Sequence, residues 1–423
     1  MAAAQQQLSH AYPLGSRVAP TGRLELGGCD AVELAREFGT PCYVVVEDDI
    51  RARAHAFVEA FRARTDRFEV HFAAKAFPCS AVLRLMAEAG LACDVASGGE
   101  LHLALRAGFD PARIHLHGNA KSERELREAL DAGVGDVVLD NAQDLDRLEA
   151  LLPPGARQRV QMRIAPGISP DTHPGISTGG PNTKFGFSLH DAPAAIARVQ
   201  ASDRLDLDGL HLHIGSQIMD LEPFRDAVAA IAALGDFRTV NLGGGLGAVY
   251  TAEDRPPSIE DYVAAKVDAV RELLGPDVRV LDEPGRALVA NACVTLYSVE
   301  TVKRNVSTWV AVDGGMSDNL RPMLYGARYE AAIADRITAP GTVRCHLAGK
   351  HCESSDVIAY DAELADPRPG DVVVTPATGA YCFSMSNSYN GVPRPPVVFA
   401  RDGQARVVVR RETYDDLEAR DVG

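Results

Sequence analysis

The feature that most constrains this chain is a regular alternation of short apolar runs with helical patterns between about residues 69 and 284. The segments between the runs carry apolar residues at helical spacing, as in Ser80–Ala89, Glu123–Ala132 and Ile259–Leu274. The runs themselves are, in chain order, Val70–Ala73, Leu91–Ala96, Ile114–His117, Val137–Leu139, Val160–Ile164, Leu210–Ile214, Val240–Leu242 and Val278–Leu281. Eight strands alternating with helices predict a (β/α)8 TIM-type barrel rather than an open doubly wound sheet.

After Gly285 the pattern changes to β-rich runs that are separated by Gly, Pro and Asp, which predicts a C-terminal β-domain. These runs include Val294–Val302, Trp309–Val312, Val372–Val374 and Arg406–Arg410. The stretch Arg23–Val46 is also strand-like, so we expect it to pair with the C-terminal domain. The expected domains are residues 1–45 as an N-terminal segment contributing to the β-domain, 46–286 as the barrel, and 287–423 as the β-domain.

The charge, the apolar runs and the cysteines of the chain indicate which partners it could bind and in which cellular compartment it could work. The 423 residues carry a formal net charge of −15 with acids and bases interspersed, so a nucleic acid would meet net repulsion. The beginning of the sequence has no basic and apolar leader pattern, and no run of apolar residues is long enough for a membrane span. The eight cysteines form no C-x-x-C pair, which is typical of reduced thiols. We therefore expect a cytoplasmic protein that binds neither nucleic acid nor membranes.

Two His-x-His pairs, His115/His117 and His211/His213, would each place two imidazoles on one face of a strand, as in some zinc sites. Neither pair has an obvious third ligand nearby in the sequence. We therefore expect no metal ion.

Catalytic groups of such barrels lie at the carboxyl ends of the strands and in the loops that follow. Lys75 comes directly after the first run, where its amine could form a Schiff base; its alternative is a solvated surface lysine. The seventh run is followed by the glycine-rich segment Gly243–Gly247, whose backbone could approach an anion closely. The alternative is that these glycines only allow the chain to make a tight turn.

The sixth and eighth runs end in further polar groups. His213 and Ser216 add a flat ring and a hydroxyl, although a lone histidine is more often a satisfied core residue. Glu283 and Arg286 place a carboxylate and a guanidinium beside the glycine segment. A phosphate-bearing cofactor with a basic ring nitrogen would use both charges.

These motifs resemble those of the fold-type III pyridoxal-phosphate decarboxylases, which share their barrel with the alanine racemases. The resemblance extends over nearly the whole chain. The matching motifs are Ala73–Ala76, Asp94–Glu100, His117–Ser122, Lys184–Gly186, His213–Gln217, Gly243–Gly247, Glu283–Arg286, Asp313–Met316, Cys352–Ser354 and Gly379–Tyr381. It implies an enzyme that uses pyridoxal 5′-phosphate.

The resemblance also implies roles for individual residues around the cofactor. Lys75 would hold it as an internal aldimine, His213 would stack on the ring, and Glu283 would face the ring nitrogen. The remaining cofactor contacts would come from Asp94, Ser216, Gly243, Gly244, Gly245, Pro284, Gly285, Arg286 and Tyr389. A carboxylate keeps the ring nitrogen protonated and favours decarboxylation, whereas racemases are expected to use an arginine there.

Residues of the C-terminal domain complete the implied site. Cys352 would protonate the carbanion and Glu353 would bind the distal ammonium of the substrate, both in the active site of a partner subunit. The resemblance therefore implies a homodimer with shared active sites. One departure is Ser355, which stands where the family usually has glycine; a positive φ there would add about 1–2 kcal/mol of strain.

Arg321 and Tyr325, together with Arg286, match the family's contacts to a distal carboxylate, and Tyr389 also faces the substrate. The expected reaction is decarboxylation of meso-2,6-diaminopimelate at its D-configured centre, which yields L-lysine and carbon dioxide. One alternative is a related decarboxylase acting on ornithine or on another amino acid with a remote carboxylate. A second alternative is a cofactor-free regulatory homologue, against which Lys75, Glu283 and Cys352 argue.

Overall fold

The computed structural model describes residues 8–423 except residues 172, 174, 176, 177 and 181. The chain forms two compact units. The first consists of Met1–Ala52, Ala248–Arg255 and Leu288–Gly423, and the second of Arg53–Gly247 and Pro256–Ala287.

The second unit is a closed barrel of eight parallel strands. The strands are Phe68–Ala73, Ala92–Val95, Ile114–Leu116, Asp136–Leu139, Gln158–Ala165, Leu205–Leu212, Thr239–Asn241 and Arg279–Asp282. Pairing of the eighth strand with the first closes the ring, with Val280 opposite Phe68. A short strand, Phe187–Ser188, pairs with the fifth barrel strand from outside this ring. The predicted (β/α)8 barrel is confirmed, and each of the eight predicted runs overlaps one of the strands.

Helices follow the barrel strands, and one long helix precedes the first strand. They are Glu47–Arg62, Ser80–Glu88, Gly98–Ala107, Glu123–Ala132, Ala142–Leu151, Ala192–Gln200, Glu222–Ile231, Ile259–Leu273 and the short Arg286–Val289. Several begin with a polar side chain that caps the first turn; Ser122 accepts from the N–H of Glu125, whose carboxylate accepts from the N–H of Ser122. Ser97, Asn141 and Ser258 cap their helices with one such hydrogen bond each. These caps explain why helices begin soon after strands end.

The first unit is built on a large, mainly antiparallel sheet. Its strands, in spatial order, are Val357–Leu364, Val343–Ala348, Thr308–Val312, Cys293–Arg304, Cys42–Val46, Val397–Arg401 and Gln404–Val409. Val372–Pro376 also pairs with Cys293–Arg304, and Ala332–Ile333 pairs with Val372–Pro376. Cys42–Val46, from the N-terminal part of the chain, lies between two strands of the C-terminal part. A small sheet of Arg17–Val18, Leu24–Leu26 and Cys29–Asp30 and the helices Ala31–Phe38, Arg321–Tyr325 and Tyr414–Glu418 complete the unit.

The strand-like interpretation of Arg23–Val46 is wrong in its middle part, where Ala31–Phe38 is a helix. Asp30 caps this helix because its carboxylate accepts from the backbone N–H groups of Val32 and Glu33. Ala31, Leu34 and Ala35 are spaced to share one helix face and are buried. In the described part of the chain, every helix lacks either the length or the apolar character needed to cross a bilayer.

Candidate functional site

The interior of the barrel is unusually polar toward the carboxyl ends of its strands. The buried polar side chains there are His71, Asp94, His115, His117, Gln161, His211, Asn241 and Glu283. Because a buried polar group is destabilising unless it is hydrogen-bonded, we expect such side chains to pair, and Glu283, His117, His211 and Asn241 do form a network. Most residues of this network come from different strands, so closure of the barrel brings them together.

Glu283 lies at the centre of this network and is 5% exposed. Its Oε1 accepts from Nδ2 of Asn241 at 2.6 Å and lies 2.9 Å from Nε2 of His117, while Oε2 lies 3.1 Å from Nε2 of His211. Burial by itself raises the pKa of the Glu283 carboxyl, but its interactions with His117 and His211, which include a hydrogen bond from each ring, outweigh burial and hold that pKa well below its ordinary value. Glu283 is therefore a buried carboxylate that is ionised at neutral pH.

Two further imidazoles lie in the same interior. His115 is 3.0 Å from the carboxylate of Asp136, and its ring centroid is 4.0 Å from that of His71. Ligand atoms of His115, His117 and Glu283 lie within 4.8 Å of one another, so these three side chains could also hold a metal ion. The local sequence around His115 and His117 did not reveal that Glu283 lies close to both. The absence of a metal ion stays a prediction.

The glycine segment after the seventh strand is fixed by contacts at the sixth and eighth strand ends. The Gly244 N–H donates to Nδ1 of His213 at 3.2 Å, and the Glu283 N–H donates to the carbonyl of Gly243 at 3.0 Å. Gly243 has a φ of +56°, and a Cβ at Gly244 would lie 2.3 Å from the carbonyl oxygen of Glu283. The close approach excludes side chains from this segment, which leaves backbone suited to contact with an anion.

Arg286 and Ser216 lie beside one another at the same end of the barrel. Arg286 is 4% exposed, and its Nε and Nη2 donate to Oγ of Ser216 at 3.2 and 2.9 Å. A guanidinium and a hydroxyl both offer hydrogen-bond donors that are suited to an anionic ligand. Together with the glycine segment, this pair can bind a phosphate.

Lys75 is an exposed residue in the turn Ala74–Ala76, directly after the first strand. A Cβ at Gly285 would lie 3.1 Å from Cβ of both Ala73 and Ala76, so the eighth strand end packs closely on this turn. Burial, and next the charge of Lys75, lower the pKa of the His213 imidazole well below its ordinary value, so this ring is neutral. Asp94, at the second strand end, is buried, and burial raises the pKa of its carboxyl.

The barrel thus brings together an amine, a flat neutral ring, a phosphate cradle and an ionised carboxylate. This donor set fits a ligand that has a carbonyl group, an aromatic ring with a basic nitrogen, and a phosphate. Sequence reasoning missed the roles of His117, His211 and Asn241 around Glu283, although the two histidines stand in the His-x-His pairs and Asn241 lies in the seventh apolar run. It also missed Arg163, a buried cation whose guanidinium lies 4.3 Å from the ring centroid of Phe185.

In the other unit, Arg321 is 4% exposed and begins the helix Arg321–Tyr325. Its guanidinium lies 4.4 Å from the ring centroid of Tyr250 and donates to the hydroxyl of Tyr329. Its Nε has no hydrogen-bond partner, and no carboxylate among the described residues of this unit forms an ion pair with it. A buried cation with this surplus of donors is suited to an anionic ligand. Tyr325, four residues on, is half-buried.

Cys352 and Glu353 are exposed on the surface of their unit. The Cys352 N–H donates to Oδ1 of Asn390 at 3.0 Å, next to the 42% exposed Tyr389. The neighbouring His351 is anchored by Asp356, whose carboxylate lies 2.8 Å from its Nδ1, and its ring stacks on that of Tyr389 at 5.8 Å. These contacts bring Cys352, Glu353 and Tyr389 to one surface.

Ser355 lies outside the left-handed region of backbone conformation, which glycine would be needed to adopt without strain. The replacement of glycine by serine therefore adds no strain of that kind to the segment that carries Cys352 and Glu353.

A family model described as the pyridoxal-binding domain of pyridoxal-dependent decarboxylases matches residues 47–290. Two curated relatives are similar over nearly the full length of both chains. The diaminopimelate decarboxylase of Bacillus subtilis is 43% identical, covering 95% of this chain and 96% of its own. That of Actinosynnema pretiosum is 45% identical, covering 97% of this chain and 95% of its own.

A solved structure of the same kind of enzyme is also similar to this chain. Diaminopimelate decarboxylase from M. jannaschii in complex with L-lysine superposes with a TM-score of 0.89 at 34% identity, covering 96% of this chain and 98% of that one.

Proposed function

The chain belongs to the pyridoxal-dependent decarboxylases, and on that basis we propose that it converts meso-2,6-diaminopimelate to L-lysine and carbon dioxide. Its curated relatives carry the name of this activity, and the M. jannaschii relative has been solved with L-lysine. We retain residues 46–286 as the proposed cofactor-binding domain, a choice supported by the matched residues 47–290.

The observation that carries the choice of substrate is the buried guanidinium of Arg321, which pairs with no carboxylate among the described residues of its own unit. Diaminopimelate has a second carboxylate at the end distant from the reacting carbon, whereas ornithine and lysine have none. A diamine acid would leave the guanidinium desolvated and without an anion, which weakens its binding. We propose Arg286, Tyr325 and Tyr389 as the further substrate contacts.

The residues of the barrel fit pyridoxal phosphate. Lys75 would attach it, His213 would lie against its ring, and Asp94, Pro284 and Gly285 would line its surroundings. The phosphate would be held by Ser216, Arg286, Tyr389 and the backbone of Gly243, Gly244 and Gly245. When bound, this cofactor supplies an electron-accepting ring that takes up the electron pair of the breaking carbon–carboxylate bond.

The chain's own residues would act on protons and orientation. Glu283, ionised and buried, holds a proton on the ring nitrogen and so strengthens the ring as an electron acceptor. His213 is held by the Gly244 N–H, so its neutral ring presents one fixed face. Cys352 delivers the proton that replaces the departing carboxylate, and Glu353 binds the distal ammonium of the substrate.

The exposure of Cys352 and Glu353 supports a further part of the proposal, a homodimer in which each subunit contributes these two residues to its partner's site. The eight free cysteines support a reducing compartment such as the cytoplasm as the location.

Release of carbon dioxide by the purified, cofactor-loaded protein from a panel of amino acids tests the activity. We expect release from meso-diaminopimelate with equimolar L-lysine, and values of kcat/KM for ornithine and lysine that are lower by about 10²-fold or more. Turnover of ornithine within about tenfold of diaminopimelate would contradict the substrate assignment and leave a broader decarboxylase in its place.

A further inference from the structure

Three side chains, each on or directly after a different strand of the barrel, contact the carboxylate of Glu283. His117 follows the third strand, His211 belongs to the sixth and Asn241 ends the seventh. All three are buried, and each lies within 3.1 Å of a carboxylate oxygen of Glu283. The orientation of this carboxylate is therefore set by the closed barrel.

We propose that His117 and His211 are positioning residues, which hold the Glu283 carboxylate in one orientation toward the ring nitrogen of the cofactor. This inference rests on the proposed function, since it concerns the cofactor that the decarboxylase would use. It assigns a role to one histidine from each of the two His-x-His pairs, His115/His117 and His211/His213.

Acceptor capacity supports this assignment. An ionised carboxylate offers about four lone-pair positions on its two oxygens. His117 and Asn241 occupy both positions on Oε1, and His211 occupies one on Oε2. One acceptor position thus remains on Oε2, which matches a single further N–H donor such as a protonated ring nitrogen. If either imidazole were removed, the carboxylate could rotate and the remaining position would no longer be unique.

The protonation states agree with this count. Glu283 is ionised and so can only accept hydrogen bonds, which requires Nε2 of both imidazoles to carry a proton. Burial lowers the pKa of His211 to about 3, so this ring is neutral and carries its single proton on Nε2. Its Nδ1 has no hydrogen-bond partner, as expected for the bare nitrogen of this tautomer. Negative charge therefore stays on Glu283.

A second carboxyl group, that of Asp94, also lies near His117. Asp94 lies 3.7 Å from Nε2 of His117, and burial, which outweighs the attraction of His117, raises the pKa of its carboxyl. Of the two acids that face His117, Glu283 is thus the stronger acid. A core role alone would not require the two carboxyls to differ in this way.

The test is solid-state NMR of the enzyme loaded with pyridoxal phosphate labelled with 15N at the ring nitrogen, combined with steady-state kinetics. The informative variant is His211→Leu, which removes the donor to Oε2. His211→Gln is the conservative variant, since its amide can donate. His71→Leu is the matched control, because it makes the same change at a buried histidine of the same interior that forms no hydrogen bond to Glu283.

We expect a protonated ring-nitrogen signal in the unchanged enzyme, in His71→Leu and in His211→Gln. In His211→Leu the signal should move to that of an unprotonated nitrogen, and kcat should fall on the order of tenfold or more with KM nearly constant. If His211→Leu does not fold, His117→Leu, which removes a donor to Oε1, is assessed by the same two measurements.

A protonated signal and an unchanged kcat in a folded, loaded His211→Leu enzyme would overturn the inference, since a merely structural histidine gives that result. A stoichiometric metal ion in the purified protein would also overturn it, because His117 and Glu283 would then be ligands. Failure of the unchanged protein to bind the cofactor would instead contradict the proposed function.

Discussion

The backbone N–H of Gly244 donates a hydrogen bond to Nδ1 of His213 over 3.2 Å, which joins the glycine segment to the imidazole of a neighbouring strand. The neutral ring of His213 must then accept at Nδ1, so its own proton is on Nε2. One contact thus fixes both the shape of the phosphate cradle and the orientation of the ring that would lie against the cofactor.

Reduction of the loaded enzyme with borohydride should leave the pyridoxyl group on Lys75, because this amine stands at the first strand end beside the eighth. Peptide mapping by mass spectrometry identifies the labelled lysine. Lys121 offers an internal comparison, since its ammonium is buried and paired with Asp144 at 2.7 Å. A label on Lys121 or Lys184 would refute the assignment.

Subunits carrying Lys75→Ala and Cys352→Ala should each be inactive alone and should partly regain activity when exchanged into mixed dimers. The reason is that one of the two sites of a mixed dimer would then contain both intact residues. Recovered carbon dioxide release, with exchange verified by native mass spectrometry, is the measurement. Verified exchange without recovery would contradict a site shared between subunits.

Arg321→Ala should lower kcat/KM for diaminopimelate by about 10–100-fold, because one or two charge-assisted hydrogen bonds to the distal carboxylate are lost. The same change should barely affect slow turnover of lysine, which lacks that carboxylate. Arg328→Ala is the matched control, since Arg328 is 76% exposed and forms an ion pair with the exposed Glu253. An equal loss for both substrates would contradict a role in selectivity.

Lys266→Met should lower the free energy of unfolding by about 3–5 kcal/mol, because it leaves the buried Asp282 without its cation. Adding Asp282→Leu should recover much of this loss. Urea denaturation monitored by circular dichroism provides the values. The exposed Arg225–Glu272 pair is the control, and its removal should change stability by less than about 1 kcal/mol.

His71 should make the protein less stable in mild acid. Burial, followed by repulsion from His115, lowers its pKa from the ordinary value of 6.5 to about 4. Between these values the unfolded chain binds a proton that the folded protein does not, so stability falls as the pH falls from 6.5 toward 4. In His71→Leu, the difference in unfolding free energy between pH 7.5 and 4.5 should shrink by about 2–3 kcal/mol. An unchanged difference would contradict the assignment.

The sequence alone determined the barrel fold and the positions of several candidate site residues at the ends of its strands. Apolar runs and helical spacing are local patterns, and strand propensity, capping and side-chain periodicity act over a few residues. Lys75 and Glu283 could therefore be assigned to strand ends before any contact was known. Ala31–Phe38 shows the limit of such patterns, because its apolar residues also fit strands and the helix depends on the cap at Asp30.

Tertiary structure decided which of these residues meet. His117, His211 and Asn241 are 42–166 positions from Glu283 in the chain, and only closure of the barrel brings their donors onto one carboxylate. The same holds for Arg321, whose packing against Tyr250 follows from folding of the β-sheet unit. Burial and charge neighbours set the protonation of such groups, and both depend on contacts between distant segments, which local sequence patterns do not encode.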